Sequence, residues 1–129
     1  MAAAWNLAAN TATVAPFDTV DADPLGMWKP ASHSFVVPVA GVYALSGAIL
    51  WQFPTGTSDC SGTWAVNGTG KLNIRAWSTV SASYSVQVNG LVKCAANDAL
   101  TFKFNCNNAL TNTFGAAYNF AGVSYLGPA

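Results

Sequence analysis

The sequence predicts a single antiparallel all-β domain, a sandwich or barrel, and three observations carry that expectation. Apolar and polar residues alternate with a period of two through several stretches. Val, Thr, Tyr, Phe and Trp concentrate between clusters of Gly, Asn, Pro and Ser, and the periodicity of an amphipathic helix is missing. Many short strands with regular turns are the pattern of sandwiches and barrels. A chain of 129 residues falls within the usual single-domain range and buries roughly two-thirds of its extended surface on folding. Neither a linker nor an internal repeat interrupts it, so the expected domain is 1–129, with 1–16 as an N-terminal strand or arm.

In chain order, the expected strands are 5–7, 12–17, 34–37, 42–52, 71–77, 84–94, 100–105 and 118–126. Turn chemistry separates them. Asp23-Pro24-Leu25-Gly26 and Ala40-Gly41 are turn signals, and Asn67-Gly68 supplies two successive residues that tolerate positive φ. Side-chain parity assigns the faces: Leu72, Ile74 and Ala76 alternate with Lys71, Asn73 and Arg75, and Leu100, Phe102 and Phe104 alternate with Thr101, Lys103 and Asn105. Each of these strands has a dry face and a wet face.

The three cysteines lack CxxC spacing, which argues against a zinc site or a fully paired disulfide framework and leaves at least one thiol free. Cys106 continues the Phe102/Phe104 row and Cys94 shares a face with Val86, Val88 and Val92, so both read as small buried hydrophobes. With Asn97-Asp98 turning the hairpin, Cys94 and Cys106 do not face each other. Cys60 falls in the polar segment 54–62 and is expected to be the exposed thiol.

Strands 42–52 and 118–126 are apolar on both faces, with Tyr43, Leu45, Ile49 and Trp51 opposing Val42, Ala44, Ala48 and Leu50. Either loops fold over them, or the outer face of one sheet meets another subunit. Composition favours the subunit. The chain is 52% apolar and 8% charged, against about 25% charged in an average domain. Lys29, Lys71, Arg75, Lys93 and Lys103 balance five aspartates, and Glu is absent. A neutral surface has no field to steer a nucleic acid or an anionic membrane, and it favours self-association. The expected interface residues are Tyr43, Leu45, Tyr118, Phe120 and Tyr125. The N-terminus has neither the basic start nor the apolar run of a signal peptide, and no stretch reaches the roughly 18 apolar residues of a spanning helix. The expectation is a soluble chain that is not secreted by that route.

The segment FDTVDADPLGMWKPASHSFVVPVAGVYALSG carries a resemblance. It looks like the start of the trimeric jelly roll shared by the globular head of complement's first component and tumour-necrosis-factor-like proteins. In that family Phe-x-x-Pro-x-x-Gly-x-Tyr follows a polar loop and an aromatic, matched here by Phe35, Pro38, Gly41 and Tyr43. VKCAANDALTF, residues 92–102, resembles the family's strand, turn and strand, and Phe120-Ala121-Gly122 resembles its closing Phe-Ser-Gly. Two departures stand out: Asn97 replaces the turn glycine, and 52–70 is longer than usual. The resemblance implies about ten antiparallel strands in a two-sheet jelly-roll sandwich, assembled as a homotrimer. FDTVDADPLGMW followed by the Pro-Val-Ala-Gly-Val-Tyr turn looks most like heads of bacteriophage virion proteins. Because the sequence begins at Met1 without a stalk, the expectation places a capsid decoration protein, bound to the major capsid protein or other virion proteins, slightly above a tail-fibre tip.

Catalysis has little to build on. His33 is the single histidine, no Gly-x-Ser-x-Gly elbow occurs, and a glycosidase would need two of five aspartates. Asp18, Asp21 and Asp23 sit where Pro24 and Gly26 signal a loop, so turn capping explains them more simply than catalysis. Their spacing resembles oxygen ligands for calcium, but the glycine turn and distal Glu of a calcium loop are missing, and no metal or cofactor is expected. Asn67-Gly68-Thr69 matches a glycosylation acceptor and reads as a turn. The remaining alternatives are an adhesin, with Trp28, Trp51, Phe53 and Trp64 on loops facing host-surface carbohydrate, and, more distantly, a hydrolase.

Overall fold

The computed structural model describes residues 5–112 and 118–129. Its elements, in order, are β1 (Trp5–Leu7), β2 (Thr13–Val14), β3 (Trp28–Lys29), β4 (Ser34–Val36), β5 (Gly41–Phe53), β6 (Ser58–Val66), β7 (Thr69–Ser78), β8 (Ala82–Cys94), β9 (Ala99–Cys106), β10 (Leu110–Asn112) and β11 (Phe120–Gly127). The described residues contain no helix. One sheet runs β3-β4-β9-β6-β7, with β2 also on β9; the other runs β11-β5-β8, and β1 pairs with β10. Every pairing is antiparallel. From β4 onward the chain crosses between sheets after β4, β5, β7, β8 and β10, while β3-β4 and β6-β7 are consecutive strands paired within one sheet, and the fold is a jelly-roll sandwich.

The core fills the gap between the two inner faces. From β5 come Tyr43, Leu45, Ile49, Trp51 and Phe53, and from β8 come Val86, Val88, Val92 and Cys94. Opposite them lie Trp64 on β6 and Leu100, Phe102 and Phe104 on β9. Each such aromatic or aliphatic side chain contributes roughly 1.5–3 kcal/mol by leaving water. The rows interdigitate because small residues face large ones. A Cβ on Gly47 would lie 3.1 Å from the Phe102 ring, and one on Gly62 would lie 2.9 Å from Val88 Cγ2. The Trp64 indole N–H crosses the gap and donates to the Val88 carbonyl at 3.1 Å. Tight turns close the ladders as their residues predict. Asn67 and Gly68 both adopt positive φ, 50° and 85°, and Asn97 takes 71°.

Residues 52–70, expected to be a long excursion, contain β6, an interior strand of the larger sheet. Its inward row is Ser58, Cys60, Gly62 and Trp64, all buried. Gly62 is small because Val86 and Val88 of β8 press against it, and the small Ser58 and Cys60 beside it hide the strand's alternation.

That row also corrects the cysteine expectation. Cys60 is buried, not exposed, and is disulfide-bonded to Cys106, its direct register partner on β9, with the Cα atoms 4.0 Å apart. Cys106 is buried as expected, but as half of this bond. Cys94 is the free thiol, and burial followed by the nearby Asp98 charge pushes its pKa up. A second correction concerns Ile74, which is 42% exposed because β7 is the sheet's edge.

Two measurements check this packing. Gly62→Ala should cost about 1–3 kcal/mol by urea unfolding, because the new methyl meets a stiff valine. Gly122→Ala, whose Cβ would approach only Ser46 Oγ at 3.1 Å, should cost less; equal midpoints would contradict the interdigitation. Mass-detected alkylation should modify no cysteine in the native, unreduced protein, Cys94 alone after unfolding, and all three after unfolding with reductant. Native labelling of Cys60 would contradict the buried bond.

Candidate functional site

The long strand β5 decides where the expected site residues point. Its odd-numbered row faces the core, so Tyr43, Leu45, Trp51 and Phe53 are all buried within their own chain. Tyr43 and Leu45 therefore cannot form the expected subunit interface. Tyr43 stacks on Tyr125 at 5.3 Å and its hydroxyl donates to the Val39 carbonyl at 2.8 Å; burial pushes that hydroxyl's pKa up. Trp51, Phe53 and Trp64, expected on ligand-facing loops, lie in strands and pack in the core. Trp51 sits between Trp5 and Phe104, with ring centroids 5.0 and 4.9 Å away. Aromatic side chains gain most where both ring faces are covered, and these three are covered completely.

Trp28 is different. It lies half-buried in β3, against Phe35 at 4.9 Å and His33 at 6.2 Å. Tyr118, Phe120 and Tyr125 all keep exposed surface. Phe120 points away from the core, whereas Tyr125 has inward parity and rests at the rim on Tyr43.

The outward rows of β11, β5 and β8 form one face, and the register aligns them. Ser124, Ala44 and Leu91 make one row, Gly122, Ser46 and Asn89 the next, and Phe120, Ala48 and Gln87 a third. Lys93, opposite Val42, is the one charged side chain on these paired outward rows. Leu91 is 61% exposed in a run otherwise made of Ser83, Ser85, Gln87, Asn89 and Lys93, and sequence reasoning gave it no role. Its signal was that a leucine interrupts a polar row.

The outer face of the other sheet is its opposite in chemistry. Asn73, Arg75 and Trp77 of β7 lie opposite Thr63, Ser61 and Asp59 of β6, which in turn face Lys103 and Asn105 of β9, with Lys71 exposed beside them; Trp77 is the one large apolar side chain in these rows. Arg75 donates twice to the Asp59 carboxylate, at 2.7 Å each, and holds its pKa below the ordinary carboxylate value. Such an exposed pair adds little stability, but it keeps this face hydrated. At the open β7–β8 side of the sandwich, Ile74, Val80 and Tyr84 are exposed, with Tyr84 stacked on Phe53 at 5.4 Å.

The end of β5 is held by a pair of asparagines that the sequence did not reveal. Asn119 Oδ1 accepts the Leu50 N–H at 3.1 Å, the Asn112 amide donates to the Leu50 carbonyl at 2.7 Å, and the two amides bond each other. They extend the ladder just ahead of β11's first residue, fastening β10 and the start of β11 to β5.

The residues weighed for catalysis or calcium are used locally. Both carboxylate oxygens of Asp23 accept backbone N–H groups, from Met27 at 2.8 Å and Trp28 at 2.9 Å, and the Gly26 N–H returns to the Asp23 carbonyl. Asp23 is thus a turn cap. His33 Nδ1 lies 3.1 Å from the Phe17 carbonyl, tying two segments together. Asn67, in the glycosylation-like triplet, donates to Asp98 and accepts from the Ala99 N–H.

No protein-family model and no curated protein matches the chain. Among solved structures, it is similar to Eiger TNF from S. frugiperda, with a TM-score of 0.60 and 15% identity over 98% of this chain and 93% of that one. At this identity the likeness concerns the fold alone: the chain has a jelly-roll fold similar to that of TNF.

Proposed function

We propose that this protein is a non-enzymatic bacteriophage virion surface protein that works as a homotrimer, decorating and stabilising the capsid shell. The observation that carries the assembly part is the contrast between the two outer faces. One is charged and hydrated; the other is nearly neutral and presents Ala44, Leu91 and Phe120. The β7–β8 side offers a second, different apolar set in Ile74, Val80 and Tyr84. Two unlike patches on one molecule suit a head-to-tail contact, which closes into a ring when the rotation fits. A stable contact needs about 800 Å² per partner, and β5 and β8, at 13 residues each, make this the face with the longest strands among the described residues. The phage assignment is supported by the sequence resemblance in FDTVDADPLGMW and the turn that follows it.

A receptor- or carbohydrate-binding head remains the second reading. Trp28 favours it, as the one proposed sugar-stacking aromatic that is not in the core. With Trp51, Phe53 and Trp64 buried, however, the aromatic platform that reading needs shrinks to one side chain.

Placing a charge at the centre of the neutral face tests assembly. Ala44→Arg should convert the trimer to monomers with an unchanged circular dichroism spectrum, whereas Lys71→Glu, on the hydrated face, should leave the trimer intact. Loss of assembly in both, or in neither, would contradict this choice of face. Gold-labelled antibody on intact virions tests location: dense labelling of the shell supports decoration, and labelling confined to the tail transfers the assignment to the fibre-tip reading.

A further inference from the structure

We propose that the groove between residues 17–27 and the open edge of β11 receives an extended peptide segment of a partner protein, added as a strand and carrying a Lys or Arg side chain. β11 is hydrogen-bonded to β5 along one side only, so among the described residues its other edge offers unpaired backbone donors and acceptors. Strand addition exploits such an edge: main-chain bonds supply affinity, and flanking hollows for alternate side chains supply selectivity.

Two neighbouring hollows lie along this edge and share Ala22, Asp23, Phe35 and Ala121. The first is walled by Phe17, Trp28, Phe35 and Phe120, with Asp21 and Asp23 beside them. Its cavity of about 140 Å³ is well below the roughly 300–1,000 Å³ of small-molecule sites and suits one long side chain. The second continues along β11 from Ala121 to Tyr125 and adds the apolar side chains of Leu25, Met27 and Val123.

Charge selects the occupant. Neither hollow is lined by a Lys, Arg or His, while the first has two carboxylates beside four aromatic rings. A cation gains from both, through the ring faces and through the carboxylates. Asp23 spends its oxygens on the turn, but Asp21 is exposed and makes no hydrogen bond or ion pair among the described residues. The opposite wall is already fixed: the Asp23 cap, the Gly26 turn and a bond from the Val36 N–H to the Met27 carbonyl at 2.8 Å hold the 17–27 segment beside β4. A groove preorganised on both sides loses little entropy when a strand enters.

The groove opens at the sheet's edge and does not require the assembly proposed above. Phe120 borders both surfaces, so the test uses Asp21, which lies outside the neutral face. The probe is a short peptide of alternating Thr and Val with a central Lys, compared with the same peptide carrying Glu, each titrated into isotope-labelled native protein. The Lys peptide should shift the amide signals of β11 and Trp28 and slow hydrogen exchange at alternate β11 amides. Asp21→Lys should weaken the Lys peptide about tenfold and turn the preference towards the Glu peptide. Binding by neither peptide, shifts centred on another strand, or an Asp21→Lys protein with the original preference would overturn the proposal. So would β11 edge amides already as protected as those of β5 before peptide is added, because the edge would then be occupied by another copy.

Discussion

Trp64 lies across the gap between the two sheets, its indole donating to the Val88 carbonyl while Phe102 packs 5.3 Å from its ring. That bond is fully buried, where an unpaired indole N–H would cost about 1–3 kcal/mol. It also sets the sheet spacing, because β6 must approach β8 closely enough for an indole to reach a main-chain oxygen. Glycine at 62 follows from this constraint: two residues along the same inward row, any Cβ would collide with Val88. The small residues Ser58 and Cys60 extend the narrow row towards the disulfide with Cys106. Large side chains come from both sheets, and the small residues Gly47 and Gly62 make room for Phe102 and Val88 opposite them, the interdigitation that close-packed interiors require.

The same spacing shapes the exterior. With Tyr43, Leu45, Ile49, Trp51 and Phe53 all turned inward on β5, the outward row is left with Val42, Ala44, Ser46, Ala48 and Leu50. These residues give a smooth, nearly uncharged sheet face. The charges collect elsewhere: Lys71, Arg75, Lys103 and Asp59 on the other sheet, and Asp18, Asp21 and Asp23 on the loop beside β11. Three surfaces therefore differ in chemistry: a neutral face suited to another protein surface, a charged and hydrated face interrupted by Trp77, and an acidic aromatic groove at an open strand edge.

How much of this could be read in the sequence depended on contrast between the two sides of each strand. β9 was legible because Leu100, Phe102 and Phe104 alternate with polar residues, and those three are the ones that pack inward. Asn67-Gly68 and Asp23-Pro24-Leu25-Gly26 were legible because positive φ and carboxylate capping restrict residue choice. β6 was hidden because its inward row is small and polar, which also made Cys60 look exposed. β5 was recognised as a strand, but both of its rows are apolar, so parity could not say which faces the core. That ambiguity put Tyr43 and Leu45 at an interface and Trp51 in a binding loop. Aromatic identity alone carries no information about direction; Trp64 points into the core and Trp28 lies at its margin. The asparagine clasp on Leu50 was invisible because it joins residues 62 and 69 positions apart.

The neutral face of β11-β5-β8 is covered, in the proposed trimer, by another copy of the chain. Light scattering on the native protein at micromolar concentration addresses this without labels or substitutions. The predicted mass is three times 13.4 kDa, unchanged on moderate dilution; a single species of 13.4 kDa would contradict it.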